Sequence, residues 1–352
     1  MKSLRNIKTY EGGASNIPGK RNVIKLSSNE SPFGPSPNVV SKIRETIKKT
    51  NRYPDGKYKK LKEVIGKKFN LPEANLFCGN GSDEILGIAC QLFLKKGDEV
   101  IIPRHSFLMF DIYSTINGAI VKTSNTNKLR FQVEDIINKI SLKTKIIFIA
   151  QPNNPTGFYL DKKELSNLVK KVPKRIMIIL DAAYAEYMTD NEYSTGINFA
   201  KKNKNLIITR TFSKIYGIAS LRLGWCYAHK DIIKLMNKIR GPFNVNDVAQ
   251  EAGIAALKDR KHQLRAIKHN KYWLEKMKHE LSQLPVYVYD SRANFVLLDV
   301  GKNVAKLNRF LRSKSIIVRT IEKYGLKSCI RVSIGKSKEN MKFLDSMRRF
   351  FK

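Results

Sequence analysis

Short apolar runs alternate with helix-like segments through the middle of the chain, and this alternation restricts the possible folds more than any other feature. Four β-rich runs are nearly continuous, as in strands that are buried on both faces of a sheet. They lie at 99–103, 145–150, 175–181 and 205–210. Helical patterns precede and separate them, at 82–96, 106–118, 133–140 and 161–171. This order is typical of parallel βαβ units, so the sequence predicts an α/β fold with a mostly parallel central sheet.

The pattern changes after about residue 245. A long helical stretch is followed by strand-like runs at 293–300, 316–319 and 329–335, with helical segments between and after them. This is an α+β arrangement. A length of 352 residues also suits about two domains. We therefore expect a large α/β part and a smaller α+β part.

Composition and charge limit the classes of protein to which the chain can belong. Hydrophobic residues make up 42% and charged residues 27% of the chain, as in a globular protein, with neither a membrane-span-like run nor a secretory signal pattern. The 66 Lys and Arg residues against 30 Asp and Glu give a net charge of +36, which allows a nucleic-acid-binding module as an alternative. Because the lysines are dispersed and no RNA-recognition or zinc-finger pattern accompanies them, solvated surface charge is the favoured interpretation.

Cysteines and histidines do not form a metal-binding pattern. None of the four cysteines belongs to a CxxC pair, and none of the five histidines has a second His or Cys at ligand spacing. Free thiols suit a reducing compartment, so we expect a cytoplasmic protein without a metal.

Polar residues follow the predicted strands, at the edge where ligands bind in parallel α/β sheets. Residues 78–84, CGNGSDE, lead into a helix near Ser82 and suit a phosphate, although an ordinary tight turn has the same pattern. Residues 151–157, QPNNPTG, predict a rigid turn that presents Asn154. These two segments are candidate parts of a binding site.

Ionisable residues end the next two strands. Asp181 closes the third apolar run and precedes Tyr184; its carboxylate either caps a helix or meets a buried cation. Two hydroxyl residues, a lysine and an arginine follow the fourth run: Thr211, Ser213, Lys214 and Arg222. This group suits a phosphorylated ligand, and a neighbouring cation favours a nucleophilic amine. An exposed lysine is the simple alternative in so basic a chain.

Together these clusters resemble the motifs of fold-type I aminotransferases, which depend on pyridoxal phosphate. PNNPTG, D-x-x-Y, and T-x-S-K followed by R-L-G occur here in the family order. Within this superfamily the chain most resembles the histidinol-phosphate aminotransferases, in the class II family, over nearly its whole length. Further supporting segments lie at 26–37, 52–56, 79–84, 240–246, 292–298, 316–319 and 330–335.

The resemblance implies a fold-type I pyridoxal-phosphate transferase with a large domain at 45–245 and a small α+β domain made of 1–44 and 246–352. It also implies an activity in histidine biosynthesis: L-histidinol phosphate and 2-oxoglutarate would give imidazole acetol phosphate and L-glutamate. An aromatic amino-acid aminotransferase and a threonine-phosphate decarboxylase are alternatives, because they would use the same scaffold.

The resemblance assigns roles around the cofactor ring. Lys214 would form the covalent link to pyridoxal phosphate and then move the proton between Cα and C4′. Asp181 would pair with the pyridine N–H and keep the ring an electron sink. Asn154 and Tyr184 would hydrogen-bond the ring O3′, and Phe107 would stack on the ring, although a core phenylalanine is the simple alternative.

Further roles concern the phosphate, the substrate and a second subunit. The phosphate would be held by Ser82, Asp83, Thr211, Ser213 and Arg222. Tyr53 would reach the phosphate of the neighbouring subunit's cofactor, which implies a homodimer. Arg331 would bind the substrate anion, and Arg319 is either a second anion ligand or a structural surface arginine.

The chain departs from the family pattern just before Phe107. It has Arg104-His105-Ser106, where a form with Pro and Thr is more usual. This departure affects the expected shape of the substrate region near the ring and leaves the residues proposed for the cofactor unchanged.

Overall fold

Sheets of seven and five strands and a short hairpin, with helices packed on them, make up the computed structural model, which describes residue 7 and residues 9–352. The strands are β1 (Ile24–Leu26), β2 (Leu76–Gly79), β3 (Glu99–Pro103), β4 (Ile120–Ser124), β5 (Thr126–Asn127), β6 (Arg130–Phe131), β7 (Thr144–Ala150), β8 (Met177–Asp181), β9 (Leu206–Thr211), β10 (Gly224–Ala228), β11 (Tyr287–Tyr289), β12 (Phe295–Asp299), β13 (Ile316–Thr320) and β14 (Cys329–Ser333). The α-helices are α1 (Pro37–Thr46), α2 (Lys59–Phe69), α3 (Gly81–Phe93), α4 (Leu108–Ile116), α5 (Val133–Ile137), α6 (Lys162–Lys171), α7 (Ile197–Lys202), α8 (Lys230–Ile239), α9 (Asp247–Lys258), α10 (Arg260–Ser282), α11 (Val304–Ser313) and α12 (Ser337–Phe351). Among the described helices, none combines the length and the apolar character that a membrane crossing requires.

The larger sheet has the strand order β2-β10-β9-β8-β7-β3-β4. From β9 to β4 neighbouring strands run parallel, whereas β10 is antiparallel to both β9 and β2. Strands β3, β7, β8 and β9 coincide with the four apolar runs, so the predicted mostly parallel sheet is confirmed. The sequence pattern did not predict β10, because its five residues directly follow the polar segment that ends near Arg222.

Two apolar cores cover the faces of the larger sheet. Side chains alternate along each strand, so Ile147 and Ile149 of β7 enter one core while Ile146 and Phe148 enter the other. A strand buried on both faces needs apolar residues at consecutive positions, which explains the nearly continuous runs in the sequence.

The smaller sheet has the order β1-β13-β14-β12-β11, with β1 parallel to β13 and the other neighbours antiparallel. In β14, Ile330 and Val332 pack into a core with Trp273 of α10 and Phe343 of α12. Arg331 lies between them and therefore projects from the opposite face of the sheet. This alternation places a cation on the face that meets the larger sheet.

The long helical stretch after residue 245 is divided into α9 and α10. Asp259 lies between the two helices and accepts a hydrogen bond from the His262 backbone N–H at 3.0 Å, which caps α10. Ala252 of α9 packs with a core of the larger sheet, whereas Trp273 of α10 packs beneath the smaller sheet. The domain bounds, 45–245 for one domain and 1–44 with 246–352 for the other, stay a prediction.

Gly217 marks a close contact between the loop after β9 and the segment before α1. Its φ is +70°, and a Cβ atom added to it would lie 2.0 Å from the carbonyl oxygen of Gly34. Glycine is required here both for the left-handed backbone and for the approach of the two segments.

We expect Gly217→Ala to lower the free energy of unfolding clearly more than Gly97→Ala does. Gly97 has a φ of +88° and no atom within 4 Å of an added Cβ, so it is the matched control for backbone strain. That strain alone costs about 1–2 kcal/mol. Urea unfolding followed by circular dichroism measures both variants, and equal losses would contradict the tight contact at Gly217.

Candidate active site

Ends of neighbouring strands meet the smaller sheet around a cavity of about 260 Å³. The turns and loops after β2, β7, β8 and β9 form one side of it, at the carboxyl edge of the larger sheet. Arg319 of β13 and Arg331 of β14 line the other side. The strand order therefore brings together residues that are far apart in the sequence.

One end of the cavity is suited to an anion. Arg222 Nη2 lies 2.8 Å from Asp83 Oδ2, and Arg222 Nη1 donates to Ser213 Oγ at 3.1 Å. Helix α3 begins at Gly81, where a Cβ would lie 2.3 Å from Arg222 Nη2, so the guanidinium fits only because Gly81 has no side chain. The backbone N–H groups and the positive end of the helix dipole add to the charge of the guanidinium. This arrangement suits a phosphate group.

Asp181 ends β8 and is buried, with 5% of the residue exposed. Thr209 Oγ1, on the neighbouring β9, donates to Asp181 Oδ1 at 2.8 Å. Burial raises the pKa of Asp181 to about 6, and the hydrogen bond from Thr209 opposes this rise. A cationic partner in the cavity would stabilise the ionised form of such a carboxyl group.

Lys214 enters the cavity from the loop after β9. Its Nζ lies 3.4 Å from the Ser28 carbonyl oxygen and 5.7 Å from the centre of the Tyr184 ring. Burial lowers the pKa of Lys214 to about 8, and the charge of Arg331 adds to this effect. An amine with this pKa is substantially neutral in mildly basic solution, as a nucleophile must be.

Arg331 joins the two sides of the cavity. Its Nη2 donates to the Ser27 carbonyl oxygen at 3.0 Å, and its Nη1 donates to Asn154 Oδ1 in the turn after β7. Within the part of the chain that the structure describes, Arg331 Nε has no hydrogen-bond partner. The guanidinium therefore keeps a donor for a further anion.

Arg319 holds the N-terminal segment beside the cavity. Its Nη1 and Nη2 donate to the carbonyl oxygens of Gly12 and Glu11, both at 2.5 Å. Tyr10, next in this segment, lines the cavity, and its ring meets the edge of the Phe107 ring at a centroid distance of 6.3 Å. Arg319 thus has a structural contact and also lines the cavity.

Comparisons with known proteins identify the family to which the chain belongs. The sequence model of the family described as "Aminotransferase class I and II" matches residues 21–346. The histidinol-phosphate aminotransferase of Pelagibacter ubique (strain HTCC1062) is 46% identical over 349 residues, which are 98% of this chain and 97% of that protein. That of Paramagnetospirillum magneticum (strain ATCC 700264 / AMB-1) is 39% identical over 351 residues, 99% of this chain and 97% of that protein. The chain belongs to the histidinol-phosphate aminotransferase family.

A solved structure confirms the fold of the histidinol-phosphate aminotransferase family in this chain. It is the crystal structure of histidinol-phosphate aminotransferase from Sinorhizobium meliloti in complex with pyridoxal-5'-phosphate. The two folds have a TM-score of 0.87 with 24% sequence identity, over 94% of this chain and 92% of that one. The prediction of a fold-type I architecture is therefore confirmed.

Twelve of the thirteen predicted site residues line this one cavity. They are Ser82, Asp83, Phe107, Asn154, Asp181, Tyr184, Thr211, Ser213, Lys214, Arg222, Arg319 and Arg331. Tyr53 is not among the lining residues: it is 82% exposed, and its ring stacks on Phe243 with the centroids 4.6 Å apart. The structure thus brings the twelve residues together, and their roles in a histidinol-phosphate aminotransferase stay predictions.

Several lining residues were not predicted from the sequence. Asn29 Nδ2 donates to the Tyr184 hydroxyl oxygen at 3.0 Å, and Tyr324 is buried at the side of the cavity that carries Arg319. The segment 26–37 carries a signal in its resemblance to histidinol-phosphate aminotransferases, so Asn29 could have been found there. Tyr10 and Tyr324 lie in segments without a motif, and only the tertiary structure brings them to the site.

We expect Lys214 to react with a small amine-selective reagent at lower pH than exposed lysines do. Its buried amine should be half-neutral near pH 8, since burial lowers the pKa of Lys214 to about 8. Lys67 is the internal reference, because its hydrogen bond to Glu63 raises the pKa of Lys67 above 10.5. Trinitrophenylation of cofactor-free protein across pH, followed by peptide mass spectrometry, measures both. Coincident profiles for Lys214 and Lys67 would contradict the lowered pKa.

Proposed function

We propose that the chain is a pyridoxal-phosphate-dependent aminotransferase of histidine biosynthesis. It moves the amino group of L-histidinol phosphate to 2-oxoglutarate and gives imidazole acetol phosphate and L-glutamate. The observation that carries this proposal is the convergence on one cavity of Asn154 after β7, Asp181 at the end of β8, and Lys214 and Arg222 between β9 and β10. The family membership supports the choice of substrate, because the relatives at 46% and 39% identity are named for this activity.

The residues of the cavity fit pyridoxal phosphate. Arg222, Ser213 and the N-terminus of α3 form an end that suits a dianionic phosphate. Asp181 is a buried acid that suits a protonated ring nitrogen, and Lys214 is an amine that suits an aldehyde. Three parts of the cofactor thus each have a chemically matched group in the same cavity.

Each group of the chain has a defined task in this proposal. When bound, the cofactor supplies an aldehyde that condenses with amines and a ring that takes up the electron pair left at the substrate Cα. Lys214 would hold the cofactor covalently and then move a proton at the substrate Cα. Asp181 would keep the ring nitrogen cationic, since its buried charge needs a partner. Asn154 and Tyr184 would bind the ring oxygen, and Phe107 would pack on the ring.

The substrate side suits molecules that carry both an anion and a flat ring. Arg331 and Arg319 supply two guanidinium groups, each able to bind a carboxylate or a phosphate. Tyr10 and Tyr324 supply aromatic surface on the same side, and the Tyr10 ring meets the edge of the Phe107 ring. Glutamate needs only the cations, whereas histidinol phosphate uses the cations and the aromatic surface. One cavity can thus accept both amino donors.

We expect Lys214→Ala to lower transamination by at least about a hundredfold, because positioned acid–base groups contribute about 10²–10⁴ to a rate. The assay is formation of glutamate from histidinol phosphate and 2-oxoglutarate. Borohydride reduction of the parent protein with its cofactor should label the peptide that holds Lys214. Lys204→Ala, at an exposed lysine that precedes β9 and lies outside the cavity lining, is the matched control and should keep full activity. Undiminished turnover by Lys214→Ala would refute the assignment.

The same assay separates the alternative substrates. Parallel reactions contain histidinol phosphate, phenylalanine or threonine phosphate, and carbon dioxide is measured in the last. A higher kcat/KM for phenylalanine would favour an aromatic aminotransferase. Release of carbon dioxide from threonine phosphate would favour the decarboxylase. All three activities need Lys214, so the variant above serves as the blank in each reaction.

We also propose a homodimer in which Tyr53 completes the site of the partner subunit. Tyr53 is 82% exposed although its ring is apolar, and it stacks on Phe243, which is itself 43% exposed. Ile239 and Leu235 of α8 are further exposed apolar residues, at 42% and 43%. Exposed apolar residues of this kind are typical of interaction surfaces. A phenol at such a surface can reach a phosphate in the adjacent subunit.

Mixing two impaired variants should raise the activity above that of either variant if Tyr53 crosses between subunits. A Lys214→Ala subunit still provides its Tyr53, and a Tyr53→Ala subunit still provides its Lys214. One intact site therefore forms in each mixed dimer, and we expect up to about half of the parent rate per mixed dimer after subunits are exchanged by mild denaturation. The rates of each variant treated alone are the controls. A mixture no faster than its components would contradict the shared site.

Four buried cysteines bear on the cellular compartment. Cys78, Cys90, Cys226 and Cys329 are free thiols, and burial raises the pKa of each above its ordinary value. Such thiols are largely unreactive. Because reducing conditions keep thiols free, we propose that the enzyme works in the cytoplasm.

A further inference from the structure

His105 connects the larger-sheet part with the smaller-sheet part beside the cavity, although it is not among the residues that line the cavity. It is half-buried in the loop between β3 and α4, two residues before Phe107. Its Nδ1 lies 2.6 Å from the carbonyl oxygen of Tyr324, which belongs to the helical turn after β13. Because a carbonyl oxygen can only accept, the histidine donates this hydrogen bond through Nδ1–H. A side chain from the larger-sheet part thus holds the backbone of the smaller-sheet part.

The backbone of His105 makes a second connection. Its carbonyl oxygen accepts a hydrogen bond from Asn153 Nδ2 at 3.0 Å, and Asn153 directly precedes Asn154. Asn153 is fully buried, so its position is well defined by its surroundings. The loop that carries His105 and Phe107 is therefore attached to the turn that carries Asn154.

The conformation of His105 is unusual for a residue with a side chain. Its φ is +59°, in the left-handed region that non-glycine residues avoid at a cost of about 1–2 kcal/mol. Asparagine and histidine adopt this region more readily than most residues. A strained backbone that directs one side chain to one carbonyl group indicates that this contact is specific.

The segment that His105 holds carries much of the substrate side. Tyr324 is buried and lines the cavity, and Arg319 precedes it in the same segment. Lys323, between them, pairs with Glu11 at 2.8 Å, and Arg319 binds the backbone of the same N-terminal segment. A shift of this segment would therefore move the Tyr324 side chain and the groups around Arg319 together.

We propose that His105 is a positioning residue that sets the distance between the cofactor side and the substrate side of the cavity. It acts through the Tyr324 carbonyl group and touches neither the reacting atoms nor the cofactor. This inference rests on the proposed function for its kinetic consequence. Lys214, Asp181 and Arg222 belong to other loops, so the chemistry should be intact without His105 while the binding of substrate is weakened.

Two substitutions test the role of the Nδ1 donor. His105→Ala removes the donor, whereas His105→Asn keeps an N–H at the equivalent position and also tolerates a positive φ. With histidinol phosphate as substrate, we expect His105→Ala to raise KM about three- to tenfold, with kcat within about twofold of the parent value. His105→Asn should restore KM to within about twofold of the parent.

Controls separate positioning from stability. His279→Ala removes an exposed histidine of α10 and should leave both kinetic constants unchanged. Pyridoxal phosphate affinity, followed by absorbance, should be the same in all variants. If His105→Ala keeps the parent KM, the inference is wrong. If kcat and thermal stability fall together and His105→Asn restores neither, His105 serves only the fold, and the inference is equally wrong.

Amide hydrogen exchange gives a readout that needs no substrate. Without the tie to Tyr324, peptides that cover 319–326 should exchange faster in His105→Ala than in the parent or in His105→Asn. Unchanged exchange would overturn the inference. If the parent protein does not turn over histidinol phosphate, the proposed function fails, and exchange at 319–326 still decides whether His105 holds this segment.

Discussion

The burial of opposite charges at adjacent strand ends is the constraint on which the site depends. Parallel pairing of β8 with β9 puts Asp181 next to Thr209 and brings the Lys214 loop to the same edge. Burial moves the two pKa values toward each other, from 3.8 to about 6 for Asp181 and from 10.5 to about 8 for Lys214. These pKa values suit a ligand that brings a cation to Asp181 and a reactive carbonyl group to Lys214.

A second buried pair, Arg210 and Glu186, lies on the segments that neighbour these residues in the sequence. Arg210 of β9 and Glu186, in the turn after Tyr184, approach to 2.8 Å, with side chains only 4% and 9% exposed. The guanidinium also lies over the rings of Phe69 and Trp225. A buried charge without its partner is strongly unfavourable, so each member of the pair restrains the other. Because Glu186 follows Tyr184 and Arg210 precedes the Lys214 loop, the pair links the two segments that carry these cavity residues.

The site residues that could be predicted from sequence are those whose positions follow from a pattern of neighbouring residues in the chain. Asp181 ends one continuous apolar run and Lys214 shortly follows the next. The carboxyl end of a strand in a parallel sheet is where polar groups meet ligands. The antiparallel strand β10 and the break at Asp259 were not predicted, since five residues of strand and one capping residue leave little periodicity. Tyr324 and His105 could not be connected at all, because 219 residues separate them and only packing between the two sheets brings them together.

Acceptor groups within the chain allow three arginines to line one cavity despite their like charges. Each already has an acceptor within the chain: Asp83 for Arg222, Asn154 and the Ser27 carbonyl group for Arg331, and the Glu11 and Gly12 carbonyl groups for Arg319. Apart from Arg331 Nε, which has no partner in the described part of the chain, the guanidinium donors that already have acceptors must share or exchange them with an anionic ligand, so a single weak charge gains little. A dianionic phosphate, or a carboxylate bound in a bidentate manner, gains more because such charge-assisted hydrogen bonds are about twice as strong as neutral ones. The internal acceptors therefore favour phosphates and bidentate carboxylates over ligands with a single weak charge.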